Sequence, residues 1–223
     1  MKLYCISGLG ADERVFQFLD LPDFEVIHMP FIPLLPGEGL VQYAHRMAET
    51  YRPEPGSWLM GTSFGGMLAQ EVSHLIDFEQ LVLVSTVTQR QEFRVLFRLA
   101  DRLRLTEMLK PAWFSGPGPL ARWFFTAHAS PQREILDTIL SELEPTYLNR
   151  AIPAIAGWQP KALSTPVLRL HGTADRIFPF HRIGPCAALP SAGHLALMTH
   201  APLISALLAE TLAVHQQKKK QKI

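Results

Sequence analysis

The sequence predicts an α/β protein: a sheet of about six mostly parallel strands with helices on both faces. Two observations lead to this prediction. Short apolar runs typical of buried strands alternate along the chain with stretches whose apolar residues recur at helical spacing. The size also fits, because 223 residues with 48% hydrophobic content can bury one sizeable core. We therefore expect a single domain over residues 1–223.

Six apolar runs are the strand candidates, and their continuous apolar character suits strands that are covered on both faces. In chain order they are residues 3–6, 24–29, 58–60, 81–85, 167–170 and 186–189. Two helical stripes lie between them. The first comprises Leu40, Ala44, Met47 and Tyr51, and the second Leu68, Val72, Leu75 and Ile76. Such alternation is typical of parallel βαβ units.

A turn from Gly61 to Gly66, with the sequence Gly-Thr-Ser-Phe-Gly-Gly, joins the third predicted strand to a helical stretch. A Gly-x-Ser-x-Gly turn in this position is typical of a nucleophile elbow, in which glycines let the backbone turn sharply and the serine stands exposed. Ser63 is therefore a candidate covalent nucleophile. A serine hydroxyl also needs a histidine base, an acid that orients the base, and donors for the oxyanion.

Candidates for the acid and the base follow further along the chain. Asp175 lies in a turn just beyond the fifth predicted strand, and the strand before that one ends without an acid. His194 lies in a loop of small residues ahead of a predicted helix over 202–215. The order serine, aspartate, histidine differs from the orders found in chymotrypsin-like and subtilisin-like proteases.

Four segments in this order resemble the α/β-hydrolase superfamily, in particular its small serine esterase and thioesterase-like members with a helical lid. They are residues 6–10, 61–66, 171–179 and 192–194. The resemblance spans nearly the whole chain and implies a triad of Ser63, His194 and Asp175. It also implies an oxyanion hole formed by the backbone N–H groups of Phe64 and Leu9. Relatives usually carry a histidine before the first glycine, where this chain has a serine.

The alternation of strands and helices is interrupted over about residues 88–164, which we expect to form an inserted helical lid. Apolar stripes at helical spacing flank an aromatic stretch in this segment. The candidate substrate-binding residues there are Trp113, Trp123 and Phe124. The aromatic content predicts a largely apolar acyl or alkyl pocket. Alternatively, these side chains pack the lid onto the core, as helical apolar stripes usually do.

Composition argues against several other kinds of site. The net charge of +1 gives no sign of a nucleic-acid surface. The nine histidines show no metal-ligand spacing, so we expect no metal and no cofactor. Cys5 and Cys186 lie in or near predicted strands and are expected to be small core residues rather than bridged. No apolar run suits a membrane span or a signal-peptide core, and we expect a cytoplasmic protein.

Two basic clusters have simple interpretations. Arg94, Arg98 and Arg102 lie at helical spacing, and we interpret them as a solvated helix face, with recognition of an anionic substrate tail as the alternative. The lysine-rich residues 218–222 are expected to form a disordered, solvated tail. Neither cluster identifies a protein partner.

The resemblance implies a serine hydrolase that cleaves a small ester or thioester with an apolar acyl or alkyl group, through an acyl-enzyme. Two alternatives stay open. One is a carbon–carbon bond hydrolase or lyase that uses the same triad. The other is a small-molecule receptor or regulator on this fold that turns over slowly. The dehalogenases and epoxide hydrolases of the superfamily use an aspartate at the elbow, and Ser63 argues against both.

Overall fold

The computed structural model describes residues 1–94, 130–142 and 144–221. In this part of the chain, six strands form one parallel sheet in the order β2-β1-β3-β4-β5-β6. The strands are β1 (Lys2–Ile6), β2 (Glu25–His28), β3 (Trp58–Thr62), β4 (Gln80–Val84), β5 (Val167–Gly172) and β6 (Ala187–Leu189). The predicted α/β fold with a six-stranded parallel sheet is thereby confirmed.

Helices cover both faces of this sheet. They are α1 (Leu40–Tyr51), α2 (Phe64–Ser73), α3 (Ser130–Glu142), α4 (Pro145–Gly157), α5 (Ala196–Thr199) and α6 (Ala201–Lys220). Because successive side chains of a strand point to opposite faces, the strands sort their residues between two apolar cores. On β1, Tyr4 and Ile6 join α1, α2 and α4 in one core, whereas Leu3 and Cys5 join α5 and α6 in the other.

Two helices differ in length from their predictions. Helix α2 ends at Ser73, where the N–H groups of His74 and Leu75 donate to carbonyl oxygens three residues back instead of four, those of Glu71 and Val72. The predicted stripe through residue 76 was therefore too long, and Leu75 is exposed. Helix α6 runs to Lys220, five residues beyond the predicted end.

The basic residues 218–220 at the end of α6 are exposed, as expected, but they are helical and not disordered. Lys219 Nζ donates to Glu79 at 2.9 Å, and the His215 ring lies 3.2 Å from the same carboxylate group. Cations in the last turn of a helix also interact favourably with its dipole. These contacts fasten the end of α6 to the start of β4.

Two helices of the predicted lid segment lie within the described residues. Leu136 and Ile139 of α3 are buried, as their spacing predicts, and Ile139 belongs to the core on the α6 side of the sheet. Ala151 of α4 is buried in the opposite core. An ion pair joins Glu142 at the end of α3 to Arg14. In the described ranges, no helix combines the length and the apolar character that crossing a membrane requires.

Candidate active site

Ser63 lies alone between the end of β3 and the start of α2, with φ of 53° and ψ of −119°. Residues other than glycine rarely adopt positive φ, and such strain persists only where the surroundings hold it. Here four hydrogen bonds to its backbone hold the residue, and the longest runs from the Met67 N–H to its carbonyl oxygen at 3.3 Å. Its N–H donates to Val84 O at 3.0 Å, and its carbonyl oxygen accepts from Thr86 Oγ1 at 2.7 Å and from Gly66 N at 3.0 Å. The half-buried side chain is thus presented at the carboxyl edge of the sheet.

Helix α2 packs directly against the backbone of the neighbouring strands. A methyl group at Gly65 would overlap the carbonyl oxygens of Ile6 and Ser7. One at Gly66 would lie 2.6 Å from Thr86 Cγ2. Only glycine allows this close approach, which brings the first turn of α2 onto the ends of β1 and β4.

The structure brings the three predicted triad residues together from three different loops. His194 Nε2 lies 2.9 Å from Ser63 Oγ, and His194 Nδ1 lies 2.8 Å from Asp175 Oδ2. These loops follow β3, β5 and β6, and the carboxyl ends of parallel strands meet at one edge of the sheet. Ala174 N–H donates to Ala192 O at 2.9 Å and so joins the aspartate turn to the histidine loop.

The Asp175 carboxylate is fully buried and has a donor at each oxygen. Oδ1 accepts hydrogen bonds from Ile177 N at 2.8 Å and from Phe178 N at 2.9 Å. Burial alone would raise the pKa of Asp175, but the charge of His194 and hydrogen bonds from His171 and His194 lower it well below its ordinary value. The carboxylate is therefore ionised at neutral pH.

The two predicted oxyanion donors lie on either side of Ser63. Phe64 is the first residue of α2, and the first N–H groups of a helix have no partner within it. Leu9 lies in a turn closed by Ala11 N–H on Gly8 O at 2.9 Å. A Cβ at Gly8 would lie 3.5 Å from that of Ser63, so this turn is directly adjacent to the serine.

Ser7, where the resemblance noted above would imply a histidine, has a definite place in that turn. Ser7 Oγ donates to Ala11 O at 2.6 Å, closing the turn that contains Leu9 from within. None of the described residues accepts a hydrogen bond from the Leu9 N–H. The turn is thus fixed by its own hydrogen bonds.

A buried ion pair beneath the site was not predicted from the sequence. Arg169 of β5 donates to both oxygens of Glu92, at 2.9 and 2.6 Å, and to Thr86 O at 3.1 Å. Glu92 also accepts from Thr88 N and Gly184 N. Burial alone would raise the pKa of Glu92, but Arg169 and these N–H groups lower it. An arginine inside an apolar strand is the signal that could have revealed the pair.

An aromatic group beside the elbow was also missed. The Phe31 ring lies 5.6 Å from that of Phe64 and 5.7 Å from that of Tyr147 in α4, centroid to centroid. Phe31 and Tyr147 are half-buried. The predicted substrate-binding residues Trp113, Trp123 and Phe124 lie outside the described residues, as do Arg98 and Arg102.

The cysteines lie apart from this group of residues. Cys5 is buried, and burial raises the pKa of its thiol. Cys186 is half-buried rather than a full core residue. Both are free. In the part of the chain that the structure describes, no three His, Cys, Asp or Glu side chains are grouped as metal ligands.

No protein-family model matches the sequence, and no curated protein matches it. Solved structures do. An esterase from Thermogutta terrifontis is 21% identical, with a TM-score of 0.73 over 96% of this chain and 89% of its own. A hydrolase from Oleispira antarctica is 17% identical, with a TM-score of 0.75 over 95% and 90%. An enol-lactonase from Burkholderia xenovorans is 16% identical, with a TM-score of 0.67 over 95% and 91%. The chain has the α/β-hydrolase fold, as its sequence motifs predict.

Proposed function

We propose that this chain of α/β-hydrolase fold is a serine hydrolase that cleaves a small ester or thioester with an apolar acyl or alkyl group. The observation that carries the proposal is the continuous hydrogen-bonded series of Ser63, His194 and Asp175, with contacts of 2.9 and 2.8 Å. These distances are within the reach that a base needs to take a proton from its nucleophile. Neighbours that are an esterase and an enol-lactonase agree with cleavage of an ester bond.

The first half of the reaction uses His194 as a base. As Ser63 Oγ attacks the carbonyl carbon, His194 Nε2 takes the hydroxyl proton. Asp175 accepts the Nδ1–H and stabilises the imidazolium that forms. The negative charge on the substrate oxygen is met by the N–H groups of Phe64 and Leu9. Loss of one such donor typically costs about 3 kcal/mol in transition-state stabilisation.

In the steps that follow, His194 acts first as an acid and then again as a base. The tetrahedral intermediate collapses, the bond to the leaving alkoxide or thiolate breaks, and His194 gives that group its proton. A water molecule then attacks the acyl-enzyme while the neutral His194 removes its proton. Collapse of this second intermediate frees the carboxylic acid and returns the proton to Ser63 Oγ.

The apolar surroundings of Ser63 support the choice of acyl group. Four half-buried aliphatic or aromatic side chains pack against the core that contains Phe64 and leave part of their surface open. They are Leu9, Phe31, Tyr147 and Ile177. Ligand sites are mostly lined by such side chains, with a few polar groups that fix orientation. An uncharged hydrocarbon group matches this surface better than a charged one, since a charge there would lose its hydration.

The test is hydrolysis of p-nitrophenyl esters of increasing acyl length by the wild-type protein and by Ser63→Ala. We expect turnover that depends on chain length and falls by about 10⁶-fold in kcat without the hydroxyl. The melting temperature and circular dichroism of the variant should match those of the wild type, because alanine fills the same backbone position. Equal turnover by both proteins would contradict the proposal, as would no turnover of esters or thioesters by either.

A further inference from the structure

His171 is a buried histidine in direct contact with the candidate acid. It is the next-to-last residue of β5, and its side chain is fully buried. Its Nε2 lies 2.8 Å from Phe178 O and 3.3 Å from Asp175 Oδ2. A backbone carbonyl only accepts hydrogen bonds, so Nε2 must carry the proton. This N–H donates mainly to Phe178 O, and Asp175 Oδ2 is its second, more distant neighbour.

Asp175 Oδ2 consequently has two imidazole neighbours. His194 Nδ1 lies 2.8 Å from it, and the His171 N–H approaches from β5. The other oxygen, Oδ1, already accepts the N–H groups of Ile177 and Phe178. Rotation of the carboxyl group would break contacts at both oxygens, which fixes the direction from which Oδ2 meets His194.

Several other groups surround the His171 ring. Its Nδ1 is buried, and none of the described residues accepts a hydrogen bond from that position. The Phe180 ring lies 6.4 Å away. Arg169, two residues earlier on the same face of β5, is paired with Glu92.

A second donor on Oδ2 has a chemical consequence. The negative charge of Asp175 stabilises a protonated His194, and a hydrogen bond to that charge from another donor disperses it. With part of the charge already satisfied by His171, the carboxylate attracts the His194 proton less strongly.

We propose that His171 is a positioning residue that fixes the Asp175 carboxylate and, through its contact with Oδ2, weakens the attraction of that carboxylate for the His194 proton. This inference rests on the proposed function in taking His194 as the base. A residue that only packed β5 would not affect His194, whereas this proposal predicts that a change at His171 alters the titration of His194.

Two substitutions at position 171 distinguish the effect of the N–H donor from the effect of the ring's shape. His171→Phe keeps a planar ring but removes the N–H, whereas His171→Gln carries an amide nitrogen that can reach the position of Nε2. The titration of His194 is followed by NMR of its ring nitrogens in each protein, and the acid limb of the pH profile of kcat/KM is measured alongside. We expect both to move upward by roughly 0.5 to 1 pH unit in His171→Phe and to return toward the wild-type position in His171→Gln.

An unchanged His194 titration in a folded His171→Phe protein would overturn the proposal, even if the variant were less stable. Should that variant fail to fold, His171→Asn replaces it, because its shorter amide reaches the position of Nδ1 instead of Nε2. Matching titrations of the Asn and Gln variants would likewise overturn the proposal. The NMR titration needs no turnover, so a shifted His194 in a protein that hydrolyses no ester would refute the proposed function and leave the role of His171 standing.

Discussion

The Thr86 hydroxyl donates a 2.7 Å hydrogen bond to the carbonyl oxygen of Ser63. Thr86 comes just after β4 and is 1% exposed, so this bond joins the neighbouring strand to the one residue between β3 and α2. The Thr86 carbonyl oxygen accepts in turn from Arg169. The strained backbone of Ser63 is thus braced through Thr86 by the buried ion pair, although neither member of that pair reaches the serine.

Replacement of this hydroxyl by a methyl group tests whether the Thr86 hydrogen bond holds Ser63 in place. Thr86→Val keeps the shape of the side chain and removes one buried hydrogen bond, so we expect the free energy of unfolding to fall by about 1 kcal/mol. We also expect kcat/KM for an ester to fall several-fold, because Ser63 would be held less firmly. Urea unfolding and steady-state kinetics measure the two effects.

The matched control for that variant is Thr88→Val. The Thr88 hydroxyl makes no hydrogen bond to any described residue, and the side chain is only half-buried. A Thr86→Val protein as stable and active as this control would show that the hydrogen bond from Thr86 to Ser63 contributes to neither stability nor activity.

Substitution at Gly65 should separate α2 from β1. In Gly65→Ala the new methyl group would overlap the carbonyl oxygens of Ile6 and Ser7, so either the helix or the turn after β1 must move. Overpacking of this kind typically costs about 1 to 3 kcal/mol. Movement of the turn would also displace Leu9, and we expect a large loss of kcat. Thermal unfolding and ester hydrolysis provide the measurements.

Gly157→Ala is the control for this substitution, since no atom lies within 4 Å of the position of its added methyl group. It should leave the melting temperature nearly unchanged. Normal stability of Gly65→Ala beside that control would refute the close packing described above.

The buried ion pair predicts a dependence of stability on pH. Glu92→Gln leaves the Arg169 guanidinium buried without its carboxylate, and removal of one partner from such a pair typically costs about 3 kcal/mol or more. The pKa of Glu92 is lowered on folding, so the carboxylate contributes stability above its unfolded pKa of about 4.3 and loses this contribution as the pH falls through the folded pKa. The difference between wild type and variant should therefore be largest near pH 7 and shrink below about pH 4.

Urea unfolding at several pH values measures this difference. Glu54→Gln is the control, because Glu54 pairs with Lys2 at the surface and exposed pairs contribute at most about 1 kcal/mol. A gap between wild type and Glu92→Gln that stays constant from pH 7 to pH 3 would exclude a coupled carboxylate at position 92.

Asp175→Asn tests the orientation of the base. The amide would no longer select the His194 tautomer that carries its proton on Nδ1, and a loss of about 10⁴-fold in kcat is typical of such a change. Steady-state kinetics at pH 7 measures it, with Asp77→Asn as the control at an exposed position. A loss of less than about tenfold would exclude Asp175 as the acid of the triad.

The fold was predictable from the sequence because burial leaves a simple pattern. Strands covered on both faces are apolar throughout, and β3 and β4 are buried along their whole length. The meeting of Ser63, Asp175 and His194 follows from motifs that end parallel strands at one edge of the sheet. Nothing in the local pattern sets the end of α2, which depends on how the chain turns back after Val72.

The partners of buried polar residues were not predictable in the same way. Arg169 and Glu92 are far apart in sequence, and only the packing of β5 against the segment after β4 brings them together. His171 lies in the motif that was recognised for Asp175, but its contact with Oδ2 depends on the path of the backbone through Phe178. The end of α6 lacks an apolar stripe, so its helical conformation could not be predicted from a hydrophobic pattern. Polar contacts with Glu79 hold it instead.

The glycines at the elbow also limit how this protein could be redesigned. Random mutagenesis around Ser63 would yield few folded variants at Gly65 and Gly66, because backbone and Thr86 atoms occupy the space that any side chain would need. Phe31 and Tyr147 are partly open to solvent and carry none of the elbow's hydrogen bonds. A library aimed at new substrates would therefore be best concentrated on those two positions, where size and polarity can change while the nucleophile keeps its geometry.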